Sequence, residues 1–154
     1  MIQRIQSVYL SLIALLSLLF VPGSFLSFAE KSGTVLKVTF NGIFRIAGAN
    51  QNLKEKLLPL SVLIILIPVV SIVALFMFKK RKVQMRLSFI LIILASILVI
   101  SLLYVSTSII SKFDATIIPG IRMFLPILIL LFSIFAYRGI RKDDLLVKSY
   151  DRLR

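Results

Sequence analysis

The chain has 154 residues, of which 59% are hydrophobic, and its mean hydropathy is +1.04. A soluble domain of this size leaves about 30% of its chain surface exposed to water and is typically about 45–50% apolar, so a soluble globular domain is excluded. Intrinsic disorder is excluded as well, because it requires low hydrophobicity. With 19 Lys and Arg against six Asp and Glu, the net charge is +13, and the composition predicts a small basic membrane protein.

The sequence contains no Cys and no His. Thiolate catalysis, disulfide bonds and zinc sites built from Cys and His are therefore excluded. The sequence also has no Walker phosphate-binding loop and no HExxH or GxSxG motif. We therefore expect a protein that is not an enzyme, with no catalytic residue, no cofactor and no metal.

Charged residues divide the chain into apolar stretches that are long enough to cross a bilayer, which takes about 18–20 helical residues. The stretches predict four spans, at about residues 5–28, 57–78, 87–111 and 117–140. In the fourth, Pro119 suits the first helical turn, and Arg122 lies one turn inside, where its long side chain reaches the headgroups. The predicted fold class is an all-α membrane protein, a four-transmembrane-helix bundle.

The positive charges predict the orientation, because cytoplasmic loops are enriched in Lys and Arg. With four spans both termini lie on one side, which also carries the basic residues of segment 79–86 and of the tail, residues 141–154. This side holds most of the Lys and Arg, so we expect both termini in the cytoplasm. The alternative is a signal peptide that starts around Arg4 and is cleaved near Ala29, which would leave three spans and an outside N-terminus.

Residues 29–56 form the only sizeable segment outside the predicted spans on the other side of the membrane. Within it, Asn41-Gly42 separates two β-rich runs, and this dipeptide is the strongest short hairpin signal because both residues accept positive φ. We expect a small β-hairpin over residues 34–47. It would act as a lid over the helices or present a free edge to a strand of another chain, unless no hairpin forms.

A dense basic run lies between the second and third predicted spans. It would either fix the topology alone or also bind anionic lipid headgroups through Lys79, Lys80, Arg81, Lys82 and Arg86. Basic runs also occur in nucleic-acid-binding proteins, but here every charge is close to a span and no aromatic side chains accompany it. The predicted partners of this run are therefore membrane lipids and not a nucleic acid.

The tail has a narrow apolar stripe at helical spacing, formed by Leu146, Tyr150 and Leu153. Its basic side chains include Arg141, Lys142 and Arg152. The tail is expected to extend the fourth helix or to lie along the membrane surface. It would either anchor the last span as a solvated helix end or bind a protein partner, which includes another copy of the chain.

The predicted spans offer little for ion-coupled transport, because no Asp, Glu, Lys or His lies in their cores. Their polar residues are mostly Ser, whose hydroxyls commonly bond helix carbonyls or join helices. Proline kinks helices, and the prolines that concentrate toward the outer half are Pro22, Pro59, Pro119 and Pro126. The alternative function is therefore a carrier or channel for a small or lipid-like solute, which would use an outward-facing apolar pocket.

Both ends of the chain resemble a family of small four-span inner-membrane proteins from Bacteroidota, known as a domain of unknown function. The resemblance rests on Met1-Ile-Gln-Arg-Ile-Gln-Ser-Val-Tyr-Leu10 and on Ile140-Arg-Lys-Asp143, Leu146-Val147, Ser149 and Asp151-Arg-Leu-Arg154. It implies an uncleaved first helix, a four-helix bundle and cytoplasmic ends, and it implies no activity. Since its distinctive residues lie at the ends, we expect an accessory or scaffold subunit of an inner-membrane assembly, which docks through its basic tail.

Overall fold

The computed structural model describes the backbone of residues 5–30, 33–47 and 50–152. Most of these residues belong to four helices, α1 (Ile5–Phe20), α2 (Leu58–Phe76), α3 (Arg81–Phe113) and α4 (Leu125–Arg152). The remainder includes five short strands, β1 (Ser24–Ala29), β2 (Val35–Thr39), β3 (Gly42–Ala47), β4 (Asn50–Glu55) and β5 (Thr116–Ile118). The protein is thus mostly helical, with a small antiparallel sheet.

The four helices form a closed ring in chain order. Each helix packs against the next one along the chain, and α4 also packs against α1. The strands connect α1 to α2 and pair with the segment between α3 and α4, so they all lie at one end of the bundle, hereafter the sheet end. The connection from α2 to α3 and the C-terminus of α4 lie at the opposite end, hereafter the basic end.

Three of the described helical segments are long and apolar enough to cross a membrane: Leu58–Phe76, Arg81–Phe113 and Ile121–Leu145. Only about a third of the residues in their apolar windows are buried inside the protein. Exposed aliphatic side chains cover the outer surface of the helices, among them Val62, Val69 and Ile100. Helices that are apolar on all sides are typical of a lipid environment, whereas a helix on the surface of a soluble protein has one polar face.

The first helix is shorter than the sequence predicts. α1 has 16 residues and ends at Phe20, whereas the span was predicted to continue to about residue 28. Pro22 cannot donate the next helical hydrogen bond, and Gly23 adopts a left-handed φ of 102°, so the chain leaves the helix there. The apolar residues that follow belong to β1, where Phe25 and Phe28 are buried.

The last helix begins later and ends later than the predicted span 117–140. Residues Thr116–Ile118 form β5, and a 3₁₀ turn over Ile121–Phe124 precedes α4. Pro119 therefore lies between a strand and a turn, and Pro126 occupies the first turn of α4, where no N–H is needed. At its other end α4 continues to Arg152, so the backbone of the predicted tail extends the fourth helix.

The connection between α2 and α3 is shorter than the predicted basic loop. A 3₁₀ turn over Met77–Lys79 follows α2 directly, and α3 begins at Arg81. α3 has 33 residues, which corresponds to about 50 Å at 1.5 Å per residue. Since the hydrocarbon core of a bilayer is about 30 Å thick, this helix is long enough to extend beyond it.

The sheet is antiparallel with strand order β4-β3-β2-β1-β5. The two runs predicted as a hairpin are β2 and β3, which pair from Val35 with Ile46 to Thr39 with Gly42. Because Thr39 pairs with Gly42, Phe40 and Asn41 form the two-residue turn between the strands. The turn was predicted at Asn41-Gly42, one position later. Because β1 and β4 flank this pair, neither β2 nor β3 presents the free edge that one alternative required.

One face of the sheet is part of the bundle core. Phe28, Leu36 and Val38 are fully buried on this face, and the Phe20 ring at the end of α1 stacks on the Phe25 ring at 4.1 Å. The Ser61 hydroxyl of α2 donates a hydrogen bond to the Phe40 carbonyl in the turn between β2 and β3. The sheet is therefore fixed on the end of the helices.

Candidate functional site

The predicted headgroup-binding residues lie at the start of α3. Lys80 precedes the helix, and Arg81, Lys82 and Arg86 lie in its first two turns; all four side chains are exposed. The side chain of Lys79 lies outside the described residues. The first turn of α3 contains no acidic residue, so these cations meet the positive end of the helix dipole without a carboxylate in that turn. Anionic groups from outside the helix would relieve this repulsion.

The tail lies at the same end of the bundle, on the neighbouring helix. Arg141 and Lys142 are exposed on α4, and Asp143 and Asp144 are half-buried beside them. The side chains of Leu146, Tyr150 and Arg152, and the whole of Leu153, lie outside the described residues. Because α3 packs against α4, the structure brings the two predicted basic surfaces together at one end.

An apolar cavity of about 90 Å³ lies near the sheet end, between the end of α1, β1, α3 and the start of α4. Its wall includes buried Phe20, Phe25 and Leu102. The exposed side chains of Leu103, Phe124 and Ile127 also line it, so it opens on the apolar side surface of the bundle. This is the half of the bundle in which the prolines predicted a pocket.

The prolines account for only part of this cavity. Pro126 lines it at the start of α4, whereas Pro59 and Pro119 do not. Pro59 lies in the first turn of α2, and the buried Pro68 lies inside the same helix. The cavity thus forms where the short α1 and the late start of α4 leave space around α3, rather than through a general opening of the bundle.

A second cleft of about 530 Å³, hereafter the polar cleft although apolar side chains also line it, lies on the opposite face of the sheet from the core. Side chains alternate along a strand, so Lys37 and Thr39 point away from the buried Leu36 and Val38. Both side chains line the cleft, together with Ser24, Asn41, Phe44 and Arg122. Within the described part of the chain the lining contains two cations and no carboxylate.

Arg122 lines both the apolar cavity and the polar cleft. It lies in the 3₁₀ turn before α4, and its Nη1 donates a hydrogen bond to the Pro22 carbonyl. The guanidinium occupies the place of a side chain at Gly23, since a Cβ there would lie 1.7 Å from Nη1. The sequence predicted that Arg122 reaches the headgroups, and the structure places it at the border between apolar and polar space.

Arg45, which lies in β3 at the same end, has a different environment. Arg45 forms an ion pair with Glu30, and its Nε donates a hydrogen bond to Thr34 Oγ1 at 3.2 Å. Neither Lys37 nor Arg122 has such a carboxylate partner among the described residues. Among the described cations of the sheet end, Arg45 is thus neutralised by an acidic side chain, whereas Lys37 and Arg122 border an open cleft.

Acidic side chains do not converge anywhere in the described ranges, where no group of three or more His, Cys, Asp or Glu could hold a metal ion. No curated protein and no solved structure matches the chain at a significant level. A family model, in contrast, matches residues 2–153, which is nearly the whole chain. This confirms the expected membership of a family of unknown function: the chain belongs to the family described as Domain of unknown function (DUF4293).

Proposed function

We propose that the protein is a non-enzymatic integral membrane protein that crosses the membrane four times and serves as an accessory or scaffold subunit of a membrane assembly. The observation that supports this role is the length of α4, one uninterrupted helix of 28 residues. It corresponds to about 42 Å, compared with about 30 Å for the hydrocarbon core. Its last turns would project from the membrane as a helical arm that a partner can bind.

The packing of α1 supports a fourth crossing. α1 buries Leu10 and Ile13 against the other helices and exposes Leu15, Leu18 and Leu19 by more than 50% each. A helix that is apolar toward both the bundle and the surroundings fits lipid better than water. Its 16 described residues span about 24 Å, and local thinning of the bilayer would accommodate this length at modest cost.

The charge distribution supports an orientation with both termini in the cytoplasm. The exposed cations of the α2–α3 connection and of α4 lie at the basic end, on neighbouring helices: Lys80, Arg81, Lys82, Arg86, Arg138, Arg141 and Lys142. Lys and Arg within a few residues of the spans direct their end of a bundle to the cytoplasm. The sheet would then lie on the outer side of a bacterial inner membrane.

The partner surface in this proposal combines the exposed cations of the tail with the stripe of Leu146, Tyr150 and Leu153. An acidic protein surface or a second copy of the chain would bind there, while Lys79 to Arg86 bind anionic headgroups beside it. The expected contact is non-covalent, and no bound cofactor takes part in it.

A truncation tests the docking role. Stopping the chain after Lys142 removes the last turns of α4 and leaves the apolar part of the span, so the protein should still insert in the membrane. In native membranes, cross-linking followed by mass spectrometry should detect partner proteins cross-linked to residues 143–154 of the full chain. The same partners should be absent from the cross-links of the truncated chain. The matched control is Lys112→Gln at the opposite end, which should keep every partner. If the truncated chain also keeps every partner, the docking role is wrong.

The cavity of about 90 Å³ favours a second candidate function, a carrier for a small or lipid-like solute that uses the outer half of the bundle. Purified protein in liposomes would then move such a solute or transfer lipid between vesicles. Absence of flux and of transfer, with the cavity accessible to ligand, would leave the scaffold role as the better account.

A further inference from the structure

Arg122 lies between two spaces of different character, one apolar and one lined by both polar and apolar side chains. On one side is the apolar cavity that opens on the side surface of the bundle, and on the other is the polar cleft above the sheet. A ligand that fits both must be amphiphilic, with an acyl chain and a charged head joined near the guanidinium. The charge that the cleft would accept is negative, because its described lining has Lys37 and Arg122 and no carboxylate.

We propose that the sheet end holds one anionic phospholipid from the leaflet on its side of the membrane. The phosphate lies between Lys37 and Arg122, and part of one acyl chain fills the apolar cavity. The site is at the opposite end of the bundle from the tail, so the proposal goes beyond the scaffold role and does not depend on it. It requires a bound lipid and no transport.

The proposed place of the lipid headgroup is supported by the geometry and the charge of the side chains in the polar cleft. An Arg guanidinium presents several N–H groups in a planar fork that matches phosphate oxygens, and Arg122 uses Nη1 for the Pro22 carbonyl. Lys37 adds a point charge from β2, and Ser24 and Asn41 supply neutral hydrogen-bonding groups to the same cleft. Its volume of about 530 Å³ accommodates a phosphate with a small hydroxylated head.

The proposed place of the acyl chain is supported by the residues that line the apolar cavity and by the position of its opening. Its described lining is apolar apart from Ser106 and Arg122, and it opens where Leu103 and Phe124 are exposed. An apolar opening on the side of a membrane-spanning bundle faces acyl chains, so a lipid can enter without leaving the bilayer. Free phosphate shares the chemistry of the head but gives no reason for the adjoining apolar cavity.

The first experiment tests charge recognition. The purified full chain, delipidated in a non-ionic detergent, is titrated with dioleoyl phosphatidylglycerol or dioleoyl phosphatidylcholine and examined by native mass spectrometry. Apart from the headgroups held by the basic run Lys79 to Arg86, we expect one high-affinity phosphatidylglycerol per chain, bound at least about tenfold more tightly than phosphatidylcholine. Lys37→Gln and Arg122→Gln should each weaken phosphatidylglycerol binding about fivefold, the effect of one headgroup charge contact.

The matched control for charge is Lys112→Gln. Lys112 is exposed at the same end but lines a different cleft, which also contains Glu55, so its loss should leave lipid affinity unchanged. Arg122→Gln also removes the hydrogen bond to the Pro22 carbonyl. If the Arg122→Gln protein does not fold, Lys37→Gln still tests the charge. Equal affinity of the wild type for the two lipids, or an equal loss in Lys112→Gln and Lys37→Gln, would overturn the proposal.

The second experiment tests the acyl-chain cavity. Val99→Phe places a ring in the cavity wall and should weaken phosphatidylglycerol binding at least about tenfold, whereas Ile100→Phe, on the 66% exposed neighbour that faces outward, should not. Inorganic phosphate at millimolar concentration should compete weakly. Unchanged binding in Val99→Phe, or full displacement of the lipid by phosphate, would indicate a site for simple anions. Either result would overturn the proposal that an amphiphilic lipid binds there. Truncation after Lys142 should leave lipid binding intact, which separates this proposal from the scaffold role.

Discussion

The Ser71 hydroxyl of α2 donates a hydrogen bond to the Leu10 carbonyl of α1 over 2.8 Å, in a fully buried position. The other described serines and threonines inside the helices mostly bond a carbonyl of their own helix, one turn back. Ser71 instead joins two helices, because its hydroxyl on α2 bonds a carbonyl of α1. This bond is therefore expected to hold the first helix in the ring.

Ser71→Ala should lower the stability of the folded bundle. Interhelical hydrogen bonds in membrane proteins contribute about 0.6 kcal/mol on average and at most about 1.7, so a loss in this range is expected. The measurement is unfolding of the detergent-solubilised protein by SDS titration, followed by circular dichroism. Ser133→Ala is the control, because Ser133 is equally buried but bonds the Ile129 carbonyl of its own helix at 2.7 Å. An equal loss in both variants would contradict the special role of Ser71.

Gly23→Ala should destabilise the turn between α1 and β1. The left-handed φ of 102° costs a residue with a Cβ about 1–2 kcal/mol, and the added atom would lie 1.7 Å from Arg122 Nη1. Gly120→Ala is the control, since its Cβ would meet no atom within 4 Å and its φ is −124°.

A double-mutant cycle separates the two costs at Gly23. If the Arg122 side chain occupies the space, Gly23→Ala should cost less in an Arg122→Gln background, because the shorter side chain gives way. SDS unfolding of the four proteins measures this difference. Additive effects would mean that backbone strain alone requires glycine at this position.

Ser88→Ala should raise stability. Ser88 lies in α3, is fully buried, and its Oγ has no hydrogen-bond partner among the described residues. Removing a buried hydroxyl that makes no bond recovers its desolvation cost, about 1 kcal/mol. The same unfolding assay should show an upward shift. Ser96→Ala, which removes an intrahelical bond to the Ile92 carbonyl at 2.8 Å, should not show this gain.

Hydropathy predicted α2 and α3 well, because each contains one long apolar stretch without a charged residue. Leu58–Phe76 and Arg81–Phe113 contain the uncharged stretches 57–78 and 87–111 almost entirely. Hydropathy failed at the end of α1, where the apolar run continues into strand β1. Apolar residues such as Phe25 and Phe28 occur both in buried strands and in membrane helices, so hydropathy does not distinguish the two. Pro22-Gly23 was the available signal for that boundary.

The sheet was only partly predictable. β2 and β3 have the alternation and β-branched residues that indicate strands, whereas Asn50–Glu55 is polar and becomes β4 through its pairing with β3. The cleft above the sheet was not predictable at all. Lys37 and Arg122 lie far apart in the sequence, and only the pairing of β1 with both β2 and β5 brings their segments together.

The absence of cysteine from the sequence makes the number of crossings directly measurable, because any introduced cysteine is the only thiol. Asn41→Cys in the exposed turn of the sheet should react with a membrane-impermeant maleimide in spheroplasts. Lys82→Cys at the basic end and Gln3→Cys near the N-terminus should react only after the membrane is permeabilised. Since Gln3 and Asn41 lie on either side of α1, this pair tests whether the 16-residue helix crosses. Labelling of Gln3→Cys from outside would reduce the protein to three crossings, and the two termini would then lie in different compartments.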